Sequence, residues 1–158
     1  MESGESILVL RDSGVSLCKK ADLNQRKTIK CSEKWKMSLC KSIDYPTFKE
    51  WSAIDTFTDI GKKNKKFSGY IAYKNEFEVK NIEQGYVEIE DAGEDVEVFI
   101  NGNSCGIKVM KPFIFDISDF VKVGKNDIQI EVATTLERER GKRKAAPIGI
   151  LGKVKIYT

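Results

Sequence analysis

Two carboxylates two positions apart are the first residues whose types and spacing could do chemistry. Glu88 and Glu90 alternate with Val87 and Ile89, so both side chains lie on one face of a predicted strand, about 7 Å apart. Acid–base catalysis by a carboxyl pair works at separations of about 5 to 9 Å and needs one group kept protonated. Because the face that carries them is polar, we interpret the pair as a solvated strand surface and predict no catalytic residue.

An acidic turn with Asp91, Glu94 and Asp95 follows this strand. Carboxylate oxygens are ligands for Ca²⁺, although acidic turns are ordinary without a metal. Histidine is absent and the four cysteines form no CxxC pair, which removes histidine-based triads and the usual zinc sites. We predict no cofactor and no metal site, with a structural calcium ion at this turn as the alternative.

The elements that position these residues are β-strands, and their alternation is clearest before the pair Asn101-Gly102. Apolar residues occupy every second position of VEVFI (residues 96–100), which places Phe99 on the face opposite the two valines. Asn-Gly best tolerates the positive φ angles of a type I′ turn. We therefore predict that residues 86–109 form a central hairpin unit.

Similar alternation recurs in residues 35–39, 71–79, 128–132 and 154–156. At least eight strand candidates and no convincing long helix predict an all-β fold, an antiparallel β-sandwich or jelly roll. Residues 47–60 are less regular, with apolar side chains three or four positions apart. A helix and a loop packed over the sandwich are both open for that segment.

Composition describes an ordinary globular domain of 158 residues with 41% hydrophobic and 32% charged residues. A net charge of +3 is too small to indicate a polyanionic partner. The basic runs at 61–66 and 138–144 lack interleaved aromatic residues, so no nucleic-acid partner is predicted. The N-terminus lacks the pattern of a signal peptide or membrane anchor. We expect a cytoplasmic protein or a piece excised from a larger one, and no membrane partner.

Four motifs follow one another in an order that resembles a known family. They are FSGYIAYKNEFEV (67–79), DAGEDVEVFINGNSCG (91–106), PFIFDISDFVKVGKNDIQIEV (112–132) and APIGILGKVKI (146–156). This order is similar to the sugar-binding domain of glycoside hydrolase family 2 and to accessory jelly rolls of related rhamnosidase-like enzymes. The resemblance covers residues 30–158 and leaves residues 1–29 as an N-terminal extension or an extra strand pair.

The resemblance is carried by residues at the turns. A strand ends in Asn-Gly, a Pro-aromatic-x-aromatic-Asp-Ile step follows, then a Gly-x-Asn turn, and a Gly-x-Leu-Gly-x-Val pattern closes the domain. The matching residues are Asn101, Gly102, Asp116, Gly124, Asn126, Gly149 and Gly152. They imply structural roles in a galactose-binding-like fold, in which two antiparallel sheets pack face to face.

The resemblance further implies a non-catalytic module of a glycoside hydrolase, whose parent enzyme hydrolyses O-glycosyl bonds in carbohydrate metabolism. The implied partners are a carbohydrate and the catalytic domain of that parent, which could be secreted. A structural interaction domain without a sugar ligand is the alternative. The candidate carbohydrate-binding residues are Trp51, Tyr70, Phe99, Arg138 and Arg140. For Trp51, a loop anchor buried in the core is the competing interpretation.

Overall fold

The computed structural model describes residues 23, 26–31, 34–81, 84–135 and 146–158. Within these ranges ten strands are present. They are β1 (Thr28–Ile29), β2 (Trp35–Lys41), β3 (Ser52–Ile54), β4 (Gly69–Val79), β5 (Tyr86–Ile89), β6 (Val96–Ile100), β7 (Asn103–Lys108), β8 (Phe113–Asp116), β9 (Gly124–Ala133) and β10 (Val154–Tyr157). Two short 3₁₀ turns accompany them, at Ser42–Asp44 and Ile60–Lys62. The described part of the chain contains no helix that is long and apolar enough to span a membrane.

The strands form two antiparallel sheets. The small sheet has the order β1-β10-β5-β8, and the large sheet has the order β3-β2-β4-β9-β6-β7. This confirms the predicted all-β antiparallel sandwich. β1, which pairs with β10, consists of the last two residues of the segment 1–29 that the sequence sets apart from the domain. The predicted extension at residues 1–29 otherwise lies almost wholly outside the described residues.

The core lies between the two inner faces, where the period of two places alternate side chains. Ile71, Tyr73 and Phe77 of β4 have no exposed surface, and they pack in one apolar cluster with Ile130 of β9 and Phe115 of β8. Burying a large apolar side chain stabilises a fold by roughly 1.5 to 3 kcal/mol. Because alternate residues of each strand are buried in this core, the residues between them lie on the outer faces of the sheets.

Residues 86–109 are divided between the two sheets, so the prediction of a single hairpin unit is wrong in that respect. β5 pairs with β8 and β10 in the small sheet, whereas β6 pairs with β7 and β9 in the large sheet. Val87 and Val96 are both fully buried. Local alternation specifies which face is apolar but not which sheet the strand joins, because either sheet can bury it.

The hairpin of β6 and β7 reverses at the predicted Asn-Gly pair. Asn101 has a φ of 50° and Gly102 has a φ of 81°, as a type I′ turn requires. The Asn101 side chain donates to the Phe120 carbonyl (2.8 Å) and to Asn126 Oδ1 (2.9 Å). It also accepts from the Asp127 amide at 3.1 Å. The turn is therefore tied to the start of β9.

Asn126 is 1% exposed and holds the turn that precedes β9. Its side-chain amide donates to the carbonyls of Lys122 (2.7 Å) and Gly124 (3.0 Å), and its oxygen accepts from the Lys122 amide (2.8 Å). Gly124 has a φ of 94°, a conformation that favours glycine. The Gly-x-Asn motif thus folds back on itself through one buried amide.

The other motif residues also lie at tight junctions. Asp116 accepts from the Ser118 amide (3.0 Å) and hydroxyl (2.6 Å) and so fixes the turn after β8. A Cβ at Gly149 would lie 2.4 Å from the Tyr73 hydroxyl, and one at Gly152 would lie 2.8 Å from Glu90 Cβ. These glycines let the closing segment approach β4 and β5.

The irregular segment at residues 47–60 is a loop and not a helix, which decides between the two structures that the sequence left open for it. Within residues 47–60 the structure has one short strand, β3, and the first residue of a 3₁₀ turn. Residues 42–51, which we call the outer-face loop, lie against the outer side of the large sheet. Beneath them Ser38 and Cys40 are 2% exposed and Ala72 is not exposed at all.

Candidate functional site

Four residues from four adjacent strands form one row across the outer face of the large sheet. Lys36 on β2 is the register partner of Lys74 on β4. Gln129 on β9 is the partner of both Lys74 and Phe99, which lies on β6. Side chains directly opposite one another in a sheet are about 5 Å apart. We call these four residues the outer row.

A groove of about 540 Å³ lies over the outer row. Besides the row itself, the groove is lined by Lys34, Asn75, Glu76, Gly102, Asp127 and Ile128. Ligand sites of proteins usually occupy about 300 to 1,000 Å³ and combine apolar or aromatic walls with a few polar groups. Phe99 supplies the aromatic surface here, and Gln129 and Asp127 supply planar polar groups.

Trp51 lies beside the groove, at the end of the outer-face loop. Lys74 Nζ is 4.3 Å from the centroid of the Trp51 ring, and the Phe48 ring packs against it at 6.0 Å. Trp51 is half-buried and is not among the buried core residues. It therefore anchors the loop on the outer face and not in the core, and it holds the ammonium of Lys74 beside the groove.

Tyr70, on β4, contacts the outer-face loop at Tyr45. Its ring stacks on that of Tyr45, with 4.0 Å between the centroids and 28° between the planes. Tyr45, which is 38% exposed, thus covers one face of the Tyr70 ring. Of the three aromatic candidates, Phe99 alone is part of the groove lining.

Glu131 lies one row away from the groove and is 5% exposed. Burial raises the pKa of its carboxyl group, and hydrogen bonds from Gln129 and Tyr45 partly oppose that shift. The bond from the Gln129 amide to Glu131 Oε1 also fixes the orientation of Gln129 in the outer row. Glu131 is thus a buried support of the groove.

The two carboxylates considered first are on the opposite side of the molecule. Glu88, on the outer face of the small sheet, accepts from the Tyr157 hydroxyl at 2.6 Å and lies 3.6 Å from Lys155 Nζ. Glu90 accepts from the amide of Lys153 at 3.0 Å. Both groups are therefore engaged in bonds within the fold.

At the acidic turn, Asp91 pairs with Lys111 at 2.9 Å. Among the described residues no cluster of three or more Asp, Glu, Cys or His side chains is arranged to hold a metal ion. The prediction of no metal site, and its alternative of a calcium ion bound with Glu94 and Asp95, both stay predictions.

Arg138 and Arg140 lie outside the described residues, so their place in a binding site stays a prediction. Tyr45 of the outer-face loop was not a candidate from the sequence, and neither were four residues that line the groove: Lys36, Lys74, Asp127 and Gln129. The outward positions of these four follow from strand alternation, but the register between the strands could not be read from the chain. The groove exists only because that register aligns them.

Comparison with known proteins places this fold among glycosidases. No family model matches the chain. A curated "Putative beta-glucuronidase" of Formosa agariphila is 33% identical over 94 residues, which is 56% of this chain and 11% of that protein. A rhamnosidase from Novosphingobium sp. PP1Y shares the fold with a TM-score of 0.69 and 19% identity, over 90% of this chain and 16% of its own.

A β-glucuronidase from glycoside hydrolase family 2 shares it with a TM-score of 0.62 and 17% identity, over 84% of this chain and 17% of its own. The chain is therefore a β-sandwich of the kind that these glycosidases carry, and the resemblance seen in the sequence motifs is confirmed. It spans between 11% and 17% of the length of these three proteins.

Proposed function

We propose that this chain is a non-catalytic carbohydrate-binding module of a glycoside hydrolase. One observation carries the proposal: Phe99, Gln129 and Asp127 line a single groove on an outer sheet face. An aromatic ring offers a flat apolar surface to the C–H face of a pyranose. The amide and the carboxylate can exchange hydrogen bonds with sugar hydroxyls at the rim of that surface.

The parent enzyme is proposed to hydrolyse O-glycosyl bonds through a catalytic domain outside this chain. Proteins named as β-glucuronidases and a rhamnosidase are among its structural neighbours, and each is several times longer than this chain. Within the described residues the carboxylates of Glu88 and Glu90 are bound to Tyr157 and the Lys153 amide. That arrangement supports a structural part for them and not a catalytic one.

Calorimetric titration of the purified chain against a panel of neutral and acidic oligosaccharides tests the proposal. We expect saturable binding at millimolar sugar, weakened at least tenfold by Phe99→Ala, because an aromatic contact and its buried area are lost. Tyr86→Ala is the matched control, since Tyr86 is a half-buried aromatic residue on the small sheet and lies outside the groove lining. Absence of binding to every sugar, or equal binding by Phe99→Ala, would contradict the proposal.

A second candidate function, docking to a neighbouring domain, is favoured by the edge strand β7 and the turn after it. Ile107 is 62% exposed, Val109 63% and Met110 49%. Exposed apolar patches of this kind often mark protein contacts. If no sugar binds, a domain whose function is to support the parent enzyme becomes the better account.

A further inference from the structure

We propose that the outer-face loop covers a second sugar subsite, which the side chain of Tyr45 occupies in place of a sugar ring. The ligand is a neutral pyranose that stacks on Tyr70 and exchanges hydrogen bonds with Ser38 and Glu131. This inference rests on the proposed carbohydrate-binding function and deepens it, because the subsite extends the same groove and the loop regulates access to it.

The first step is the position of a second row of side chains beside the outer row. Ser38 on β2, Ala72 on β4 and Glu131 on β9 are successive register partners. Each lies two positions along its strand from a member of the outer row, so both rows point to the same face and lie about 7 Å apart. We call these three residues the covered row, because the outer-face loop buries them. The groove over the outer row therefore leads directly to the covered row.

The second step is that the covered row holds buried polar atoms without hydrogen-bond partners. Ser38 is 2% exposed and Glu131 is 5% exposed. Among the described residues Ser38 Oγ has no partner, and Glu131 Oε2 has none at ordinary distance and angle, although Oε1 is held by Gln129. Buried polar atoms of this kind are rare in native folds and call for an explanation. Sugar hydroxyl groups, which both donate and accept, can satisfy the two atoms together.

The third step is that Tyr45 makes the contacts that a bound sugar would make. Its ring stacks on that of Tyr70, with 4.0 Å between the centroids and 28° between the planes. Its hydroxyl group interacts with the carboxyl group of Glu131. A pyranose can use the same two groups, since its C–H face packs on an aromatic ring and its hydroxyl groups donate to a carboxylate. Tyr45 therefore takes the place of the ligand in the closed loop.

The fourth step is that side chains attach the loop to the sheet beneath it. The backbone hydrogen bonds at the centre of the loop join residues 44–48 to one another. Toward the sheet, the Tyr45 ring packs on Tyr70. The Thr47 carbonyl also accepts from the Cys40 thiol at 3.4 Å, and a thiol is a weak donor. Displacement of Tyr45 thus leaves the strand pairing of the described residues intact, so a sugar can compete with it.

The ligand class follows from the charges around the covered row. Glu131 is the register partner of Glu97 on β6, so two carboxyl groups lie side by side on the outer face. Lys74 offsets part of their charge at Glu131. An anionic substituent would be repelled by this pair, whereas hydroxyl groups can donate to it. We therefore expect neutral pyranose residues in the subsite.

Calorimetric titration of Tyr45→Ala tests the inference, with β-1,4-linked pentasaccharides of glucose, galactose, mannose and xylose as probes. We expect this variant to bind at least one of them about three- to tenfold more tightly than the unmodified chain, because the sugar no longer displaces a side chain. The double variant Tyr45→Ala/Tyr70→Ala should lose the gain, since the aromatic surface is removed. Ile43→Ala is the matched control, because Ile43 lies in the same loop and is 91% exposed. It should bind as the unmodified chain does.

Amide NMR spectra then locate the sugar on the unmodified chain. The pentasaccharide that binds most tightly should shift the amide signals of Ser38, Ala72 and Tyr45, in addition to those of Gln129 and Phe99 in the outer row. Replacement of the buried hydroxyl group by Ser38→Ala in the Tyr45→Ala chain should weaken binding about three- to fivefold, the scale of one neutral hydrogen bond. Thermal unfolding of every variant checks that the fold is retained.

The outcomes separate the two proposals. If Tyr45→Ala binds the sugar no better than the unmodified chain, and signals shift in the outer row alone, the covered subsite is overturned and carbohydrate binding stays intact. Weaker binding by a folded Tyr45→Ala chain would make Tyr45 a sugar contact and also overturn the inference. Sugar binding by Tyr45→Ala alone, lost in the double variant, would support the subsite and overturn binding at Phe99. Binding of no pentasaccharide by either chain would overturn both.

Discussion

At the scale of single residues, buried polar side chains set the geometry of the turns. Asn126 makes hydrogen bonds to backbone and side-chain groups on both sides of its turn and has 1% of its surface exposed. If this amide were removed, the buried groups that it contacts would have neither a hydrogen-bond partner nor access to water. A single amide thus connects the end of β6 with the start of β9.

Replacement of this amide should be costly. We expect Asn126→Ala to lower the free energy of unfolding by about 2 to 4 kcal/mol, because several buried groups lose their partners together. Asn103→Ala is the matched control, since the exposed Asn103 makes only long contacts of 3.3 and 3.5 Å, and it should change stability by less than about 0.5 kcal/mol. Urea unfolding measures both, and equal effects would contradict this account of the turn.

At the scale of elements, the outer-face loop buries an acidic side chain against the large sheet. Burial raises the pKa of Glu131, with Gln129 and Tyr45 partly opposing it. When folding raises the pKa of a carboxyl group, the protonated group adds to the free energy of unfolding, and this addition is complete at pH values below the pKa in the unfolded chain. Its contribution is lost as the pH rises through the folded value. At neutral pH the loop therefore packs over a charge that the fold disfavours.

Glu131→Gln should for this reason stabilise the chain at neutral pH. We expect the free energy of unfolding to rise by about 1 kcal/mol, because a neutral amide is easier to bury than a carboxylate. The gain should vanish at about pH 3, where Glu131 is protonated in both the folded and the unfolded chain. Glu78→Gln, on the exposed side of β4, should show no such pH dependence. A variant that is less stable than the parent at neutral pH but equally stable at about pH 3 would show that Glu131 is stabilised as an anion.

At the scale of the whole molecule, folding buries several groups that ionise only in alkali. Burial raises the pKa of Tyr73 from 10.0 to about 12 and that of Cys31 from 9.0 to about 11. Tyr157, whose hydroxyl is bound to Glu88, also has its pKa raised to about 12, chiefly by burial. In each case the folded chain keeps a proton that the unfolded chain gives up.

Stability should therefore fall with rising pH, starting near pH 9 and continuing to about pH 12, since the unfolded state binds fewer protons over that window. Tyr73 has no exposed surface, and its shift corresponds to about 2 to 3 kcal/mol. Urea unfolding at increasing pH measures the slope, and Tyr73→Phe should reduce it. This variant also loses the bond that the Ile150 amide donates to the Tyr73 hydroxyl at 3.2 Å, so only the slope is compared. A stability that does not fall above about pH 10 would contradict the argument.

The sequence by itself determined the class of fold and the turns. Alternation with a period of two marks the strands and separates Phe99 from the buried valines of β6, because each side chain's face follows from local backbone geometry. Asn101 and Gly102 likewise specify their turn through their own φ preferences. Such features depend on neighbours in the chain, so they can be read without the fold.

Only the tertiary structure decided which strands share a sheet and which outward residues meet. Lys36 and Phe99 are far apart in the chain, and nothing local sets the register that places them in one row with Lys74 and Gln129. The same holds for β5 and β6, which alternate alike yet join different sheets. Register and sheet membership are set by core packing between distant segments, and the groove is a consequence of that packing.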